Sequence, residues 1–234
     1  MRRHGLVSVI RPGDAPTYPK LTGWTRVKAW LSMLFVDHGI FRTFFNTRSR
    51  VSEEMWRSSQ PLPYQVASAA RAGVKTIVNL RGDGDNSFYR FEEEAAQRHG
   101  VTLMNFIVNS REAPMKASVL AAQDLFQTLD YPALMHCKSG ADRAGLMSAL
   151  YLHFRKGLPI AEAKRHLSLR WGHVKQAKTG ILDFFLQSYL DFNAKTPMTF
   201  EAWVRDVYDR DAVTKAFRES WWASAITDKV LRRE

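Results

Sequence analysis

A chain of 234 residues with 45% hydrophobic content is long enough to build one well-cored domain with extensions. Its formal charge of +11 and pI near 9.9 call for an anionic partner, and since no nucleic-acid module is recognisable, a phosphate-rich substrate or an anionic membrane surface remains. The single cysteine, Cys137, excludes an intramolecular disulfide and suits a reducing compartment, so a cytoplasmic protein is expected, at most peripheral to a membrane.

In chain order, Arg2, Arg3 and the run from Gly5 to Ile10 give too short an apolar stretch for a signal peptide. No run reaches the length of a transmembrane helix. Residues 1–20, with Pro12, Gly13, Pro16 and Pro19, read as an irregular lead. Residues 21–47 are apolar at near-helical spacing: Trp24, Val27, Trp30, Leu31, Leu34, Phe35, Phe41, Phe44 and Phe45, with a break at Gly39. Arg26, Lys28, Arg42 and Arg48 lie beside this stripe. Either the segment packs against the following domain, the simpler reading, or it lies on a membrane surface.

From Trp56 the pattern alternates. Helices are expected at Pro63–Ala72, Phe88–His99 (with Glu92, Glu93 and Glu94 near its start), Pro114–Leu129, Arg143–Lys156, Pro159–Leu169 and Thr179–Phe192. Strands are expected at Lys75–Leu80, Val101–Val108 and Ala133–His136. This alternation predicts an α/β fold with a central, mostly parallel sheet flanked by helices. The expected organisation is an N-terminal extension over 1–49, a main domain over 50–195 and an aromatic-rich tail over 196–234. Trp203, Tyr208, Phe217, Trp221 and Trp222 suit docking of that tail.

The most specific segment is His136-Cys137-Lys138-Ser139-Gly140-Ala141-Asp142-Arg143, between an expected strand and an expected helix. A loop of this length can curl until its amides converge on three phosphoryl oxygens. Gly140 permits the backbone angles of a tight curl. The following helix adds its positive end, which favours both a bound anion and a Cys137 thiolate. Arg143 can grip two phosphoryl oxygens as a bidentate fork. Cys137 is then the candidate nucleophile, and Lys138, Ser139, Gly140 and Ala141 with His136 form the substrate-binding loop. A phosphocysteine would form and be hydrolysed by water. This chemistry calls for no metal and no cofactor. A buried structural cysteine is the competing interpretation.

The segment resembles the signature of the cysteine-dependent protein tyrosine and dual-specificity phosphatases. Trp56-Arg57-Ser58-Ser59-Gln60-Pro61 and Gly73-Val74-Lys75-Thr76-Ile77-Val78-Asn79-Leu80-Arg81 resemble the opening of the atypical dual-specificity domains common in bacteria. The likeness covers roughly residues 50–192 and implies a dual-specificity-phosphatase-like fold. It also implies that His136 orders the loop through its hydrogen bonds. A loop near the N-terminus, as in low-molecular-weight-type arsenate reductases, does not fit, and a rhodanese-like fold suits the long following helices less well.

The family's general acid, usually an Asp on a separate loop, has no obvious counterpart. After the strand ending at Val108 the chain offers only Glu112, which equally suits the start of the next helix. Asp142 stands immediately before Arg143, as an Asp does in myotubularin-type and Sac-type lipid phosphatases. Asp83 and Asp85 fall in a Gly-rich turn that explains them structurally. The Ser or Thr that usually follows the Arg is here Ala144, which puts breakdown of the intermediate in question. Lys138 beside the nucleophile favours polyanions, so a phosphorylated lipid or inositol phosphate is the expected substrate. A phosphoprotein substrate and a phosphate-binding adaptor are the alternatives. His166 and His173, in a basic stretch from Lys164 to Lys175, read as part of a solvated basic face.

Overall fold

The computed structural model describes residues 7–37 and 48–231, with side chains up to Trp221. The expectations at Arg2, Arg3, Gly39, Phe41, Arg42, Phe44 and Phe45, and the side chain of Trp222, lie outside the described residues. Two compact units divide the chain. One comprises the described residues up to Val108 with Thr128–Ala144; the other comprises Asn109–Gln127 with the described residues from Gly145 onward.

The first unit contains a six-stranded sheet among its described residues. β1 (Val7–Ile10), β2 (Ser49–Arg50), β3 (Met55–Ser59), β4 (Thr76–Asn79), β5 (Thr102–Phe106) and β6 (Ala133–Cys137) are arranged β1-β5-β4-β6-β3-β2. The four inner strands are parallel, whereas β1 and β2 pair antiparallel at the two edges. The sheet is therefore mostly parallel, as the alternating pattern predicts. β4 and β6 are buried along their whole length, which explains why both read as unbroken runs rather than alternations. β6 lies between β4 and β3, so the cysteine emerges at the carboxyl end of a central strand.

Three strands escape the sequence pattern. Val7–Ile10, expected to be irregular, pairs with Leu103–Phe106 and stops before the turn that begins at Pro12. Ser49–Arg50 is only two residues long. Met55–Ser59 carries polar residues that are nevertheless buried, so no apolar period marks it.

Helix α1 (Gly23–Leu31) runs into a π-helical turn over Ser32–Val36. Its inner side, with Trp30 and Met33, packs on Phe91 of α3 (Ser87–Arg98); the Trp30 and Phe91 rings are 4.9 Å apart. α2 (Pro63–Arg71) starts with a proline in its first turn, where the missing N–H costs nothing. Val66 and Ala69 of α2 and Tyr89, Ala95 and Ala96 of α3 share a core with Ile77, Leu103 and Leu134 of the sheet.

Two of the three adjacent glutamates of α3 anchor the segment that follows β1. Glu93 accepts hydrogen bonds from Thr17 N and Oγ1 at 2.7 and 2.6 Å. Glu94 receives a bidentate bond from Arg26 of α1 at 2.7 and 3.1 Å. Glu92 turns inward and is fully buried.

In the second unit, α4 (Lys116–Thr128), the continuation of α5 (Asp142–Phe154) and α7 (Ile181–Asn193) run close to their expected ranges. The helix expected over Pro159–Leu169 is only α6 (Ile160–Ala163), followed by 3-10 turns at Lys164–His166 and Leu169–Trp171. Arg165, Arg170 and Lys175 are exposed, as a solvated basic face requires, but His173 is fully buried and His166 is half-buried against Trp171, so the two rings are not part of the exposed face. In the tail, α8 (Phe200–Ala202) and α9 (Arg210–Leu231) flank a π-helical turn. Phe200, Trp203 and Tyr208 pack with Phe185 and Tyr189 of α7.

The hydrogen bond from Arg26 holds the Glu94 carboxyl below the ordinary glutamate value, with desolvation opposing. A lowered carboxyl stabilises the fold above its unfolded value and loses that contribution as pH falls through the folded value. Glu94→Gln is expected to speed amide exchange in Gly23–Leu31 by about two- to fivefold at neutral pH, the scale of a partly exposed ion pair. The difference between variant and parent should vanish as pH falls below the ordinary glutamate range. Hydrogen exchange across a pH series checks it.

Candidate active site

Cys137 ends β6, buried to 2% exposure, and the chain then turns through Lys138–Ala141 into α5. Asp142 opens that helix and Arg143 follows, both half-buried. Cysteine, amide loop, helix N-terminus and arginine are thus brought together within one turn, as the spacing predicts.

β3 shapes this loop from one side. Arg57, 1% exposed, donates through one guanidinium nitrogen to Gly140 O at 2.6 Å and to Ala141 O at 2.8 Å. Gln60 N donates to Lys138 O at 3.3 Å. In a trans peptide the carbonyl and the next N–H point in opposite directions. Drawing three carbonyls toward β3 therefore turns the amides of Ser139, Ala141 and Asp142 the other way, as an anion cradle requires. Ala141 N is also 3.4 Å from Ser139 Oγ, a long contact that leaves the amide available.

Gly140 is required on two counts. Its φ is +78°, and a Cβ placed on it would fall 2.7 Å from the backbone of Ser58 and Ser59. Any side chain here would push the loop off β3.

Arg57 is a cation inside the sheet. Burial lowers its pKa to about 10, opposed by the negative charges at Cys137 and Asp142. It stays charged at neutral pH and presents a positive field to the nucleophile and to the helix start. Arg143 makes no hydrogen bond or ion pair with another described residue, which leaves its fork available for a phosphoryl group.

His136 is fully buried, with Nε2 2.6 Å from Glu92 Oε1. Glu92 Oε2 accepts from Gln60 Nε2 at 2.6 Å, and Gln60 Oε1 accepts from Arg81 at 2.5 Å. The Arg81 guanidinium lies 3.6 Å from the centre of the Phe88 ring and bonds both carboxylate oxygens of Asp37 at 3.2 Å. Lys138 Nζ is 3.4 Å from Asp37 Oδ1. A chain of charged and amide groups thus runs from behind the nucleophile to the lysine beside it.

Glu112 belongs to the second unit, where its exposed carboxylate is ion-paired with Arg210, whose Nε also bonds Ala113 O. Arg57, Gln60, Arg81 and Glu92 are site residues that sequence reasoning did not assign, and Asp37 pairs with two cations beside the loop. Arg57, Gln60 and Arg81 lie in the two segments that carry the family resemblance, and that was the available signal. Glu92 was hidden in a glutamate run, and nothing in the sequence marked Asp37.

Lysine at position 57 keeps the charge but cannot reproduce the flat guanidinium's two bonds to adjacent carbonyls. Arg57→Lys is therefore expected to weaken phosphate binding to the Cys137→Ser protein by about tenfold, the scale of one unsatisfied buried polar group. Calorimetric titration with phosphate checks it, and a change below twofold would refute the positioning role.

Comparison with known proteins agrees with this geometry. The chain is 33% identical over 102 residues to the beta-lactamase hydrolase-like protein of Xylella fastidiosa, a match covering 43% of this chain and 23% of that protein. It is 27% identical over 138 residues to the dual specificity protein phosphatase TpbA of Pseudomonas aeruginosa, covering 58% of this chain and 56% of TpbA. The chain thus spans under a quarter of the first relative and little more than half of the second. The crystal structure of TpbA superposes with a TM-score of 0.50 at 21% identity, covering 73% of this chain and 90% of that one. A family model described as "DSP-PTPase phosphatase fused to NAD+ Kinase" matches residues 18–179, well over half the chain and the whole of the loop and its supports. The chain belongs to that family, a branch of the cysteine-dependent dual-specificity phosphatases.

Proposed function

We propose that this chain hydrolyses phosphomonoesters through a phosphocysteine intermediate. Cys137 Sγ attacks phosphorus as the bond to the leaving oxygen breaks. Asp142, at the start of α5 beside the phosphate-gripping Arg143, gives that oxygen its proton. Water then breaks the S–P bond and releases inorganic phosphate. The observation that carries the reading is the loop itself: the carbonyls of Lys138, Gly140 and Ala141 are held by Gln60 and Arg57, which leaves the amides that follow them for an anion.

The substrate we infer is a polyanion, a phospholipid head group or inositol phosphate. Lys138 directly follows the nucleophile, and the +11 charge attracts such molecules. The protein-phosphatase alternative draws on the name of the relative TpbA. In a panel of phosphopeptides, inositol phosphates and phosphoinositides, the parent should turn over the polyanions fastest, and Cys137→Ser should turn over none. Asp142→Asn should slow alkyl phosphates at least tenfold more than aryl phosphates, whose leaving groups need little protonation. Phosphopeptides outpacing every polyanion would reverse the substrate assignment; equal losses would remove Asp142 as the acid.

We further propose attachment to an anionic membrane surface through α1. No helix among the described residues is long and apolar enough to cross a membrane. The outer side of α1 and its π-turn nevertheless exposes Trp24, Val27, Leu31 and Phe35 at 76%, 46%, 50% and 60%. These positions share one helical face, flanked by Lys28, while the opposite face is pinned to Phe91. Trp24→Asp with Leu31→Asp is expected to cut sedimentation with phosphatidylglycerol vesicles by at least about tenfold. Equal sedimentation of parent and variant would end the proposal.

A further inference from the structure

We propose that Asp37 is a specificity-determining carboxylate, occupying the cations that a substrate's second acidic group would use. The inference rests on the reading of the loop as a phosphate site and adds a competitor for its neighbouring subsite. Asp37 stands at the end of the π-helical turn, its N–H bonded to Ser32 O at 3.1 Å, and is 8% exposed. Its carboxylate bridges two positive groups from different parts of the chain: Arg81, which follows β4, and Lys138, on the phosphate loop. Two cations converging on one oxyanion is the arrangement that would bind a second phosphate or carboxylate of a substrate.

The two arms differ. The Arg81 side chain is 14% exposed and held by Gln60 and the Phe88 ring as well as by Asp37. The Lys138 side chain is 45% exposed, and its ammonium can exchange a carboxylate for water or for a substrate oxyanion at little cost. Lys138 is therefore the arm that opens. Its main chain stays fixed through Gln60 N, so release moves the side chain without loosening the loop. A monoanionic group in the loop leaves the Asp37 pair closed. A substrate with a neighbouring acidic group must first displace Asp37 from Lys138, and its affinity is lowered by that competition. Because Asp37 ends the helical segment that follows β1, this segment takes part in selecting the substrate.

The test uses the Cys137→Ser protein, full length, with inorganic phosphate and pyrophosphate as probes, titrated calorimetrically. Adding Asp37→Asn should raise pyrophosphate affinity about fivefold, the upper range for a partly exposed ion pair, with phosphate affinity within about twofold. Adding Lys138→Gln to that protein should abolish the gain, which shows that the freed ammonium is its source. Asp37→Ser, shorter and still able to accept from Arg81, is the second variant and should show the same gain if Asp37→Asn folds poorly. An unchanged or lower ratio of pyrophosphate to phosphate affinity in the folded variants overturns the inference while leaving the phosphatase reading intact. Absence of phosphate binding in the Cys137→Ser protein itself overturns both.

Discussion

Arg57 places a full positive charge inside a sheet, where removing an ion from water costs several kcal/mol unless its hydrogens are taken up. The carbonyls of Gly140 and Ala141 take up those of one guanidinium nitrogen, and electrostatic attraction to nearby Cys137 and Asp142 opposes the burial penalty on Arg57. The same contact that satisfies the cation gives the loop its curl, because carbonyls committed to one side leave their amides on the other. Gly140 completes the constraint by letting the loop lie against Ser58 and Ser59 closer than a side chain would allow. The nucleophile arrives on β6, but its surroundings are set by β3.

Behind the nucleophile the same economy of groups recurs. His136 and Glu92 are each fully buried and approach to 2.6 Å, a close contact outside hydrogen-bond geometry that places the carboxylate against the imidazole. Gln60 joins the pair to Arg81, using its amide nitrogen on one neighbour and its oxygen on the other. The network fixes the histidine that precedes the cysteine and ends on charges beside the loop. Ala144, where the family usually has a hydroxyl, is fully buried at the start of α5. The short-range part of the site is therefore polar at the carbonyl side and apolar immediately beyond Arg143.

Much of this was legible in the sequence, for physical reasons that can be named. Cys137, Gly140 and Arg143 were readable because loop, turn and helix start are contiguous, so spacing alone encodes their geometry. β6 was readable as a short run buried on both faces, and β4 by its β-branched residues between glycine-containing turns. β3 was not, since Arg57, Ser58 and Ser59 are polar yet buried, and the carbonyls that take up the Arg57 charge lie about eighty positions away. Glu92 is one of three adjacent glutamates on a helix, and only Gln60 and His136, distant in sequence, single it out. His173 was misread in the opposite sense: a charged neighbourhood concealed a buried ring. In each case the missing information was a contact distant in sequence, which periodicity cannot carry.

The three successive glutamates of α3 have a mechanical meaning beyond their separate bonds. Consecutive residues on a helix point about 100° apart, so one short segment faces the histidine behind the nucleophile, the lead at Thr17 and the outer helix at Arg26. An α-helix is stiff over a single turn. A shift or rotation of this turn cannot be felt by one of those three contacts alone. α3 is thus a lever with its fulcrum in the core, and the position of a surface helix and the setting of the histidine that precedes Cys137 are two readings of the same rigid body.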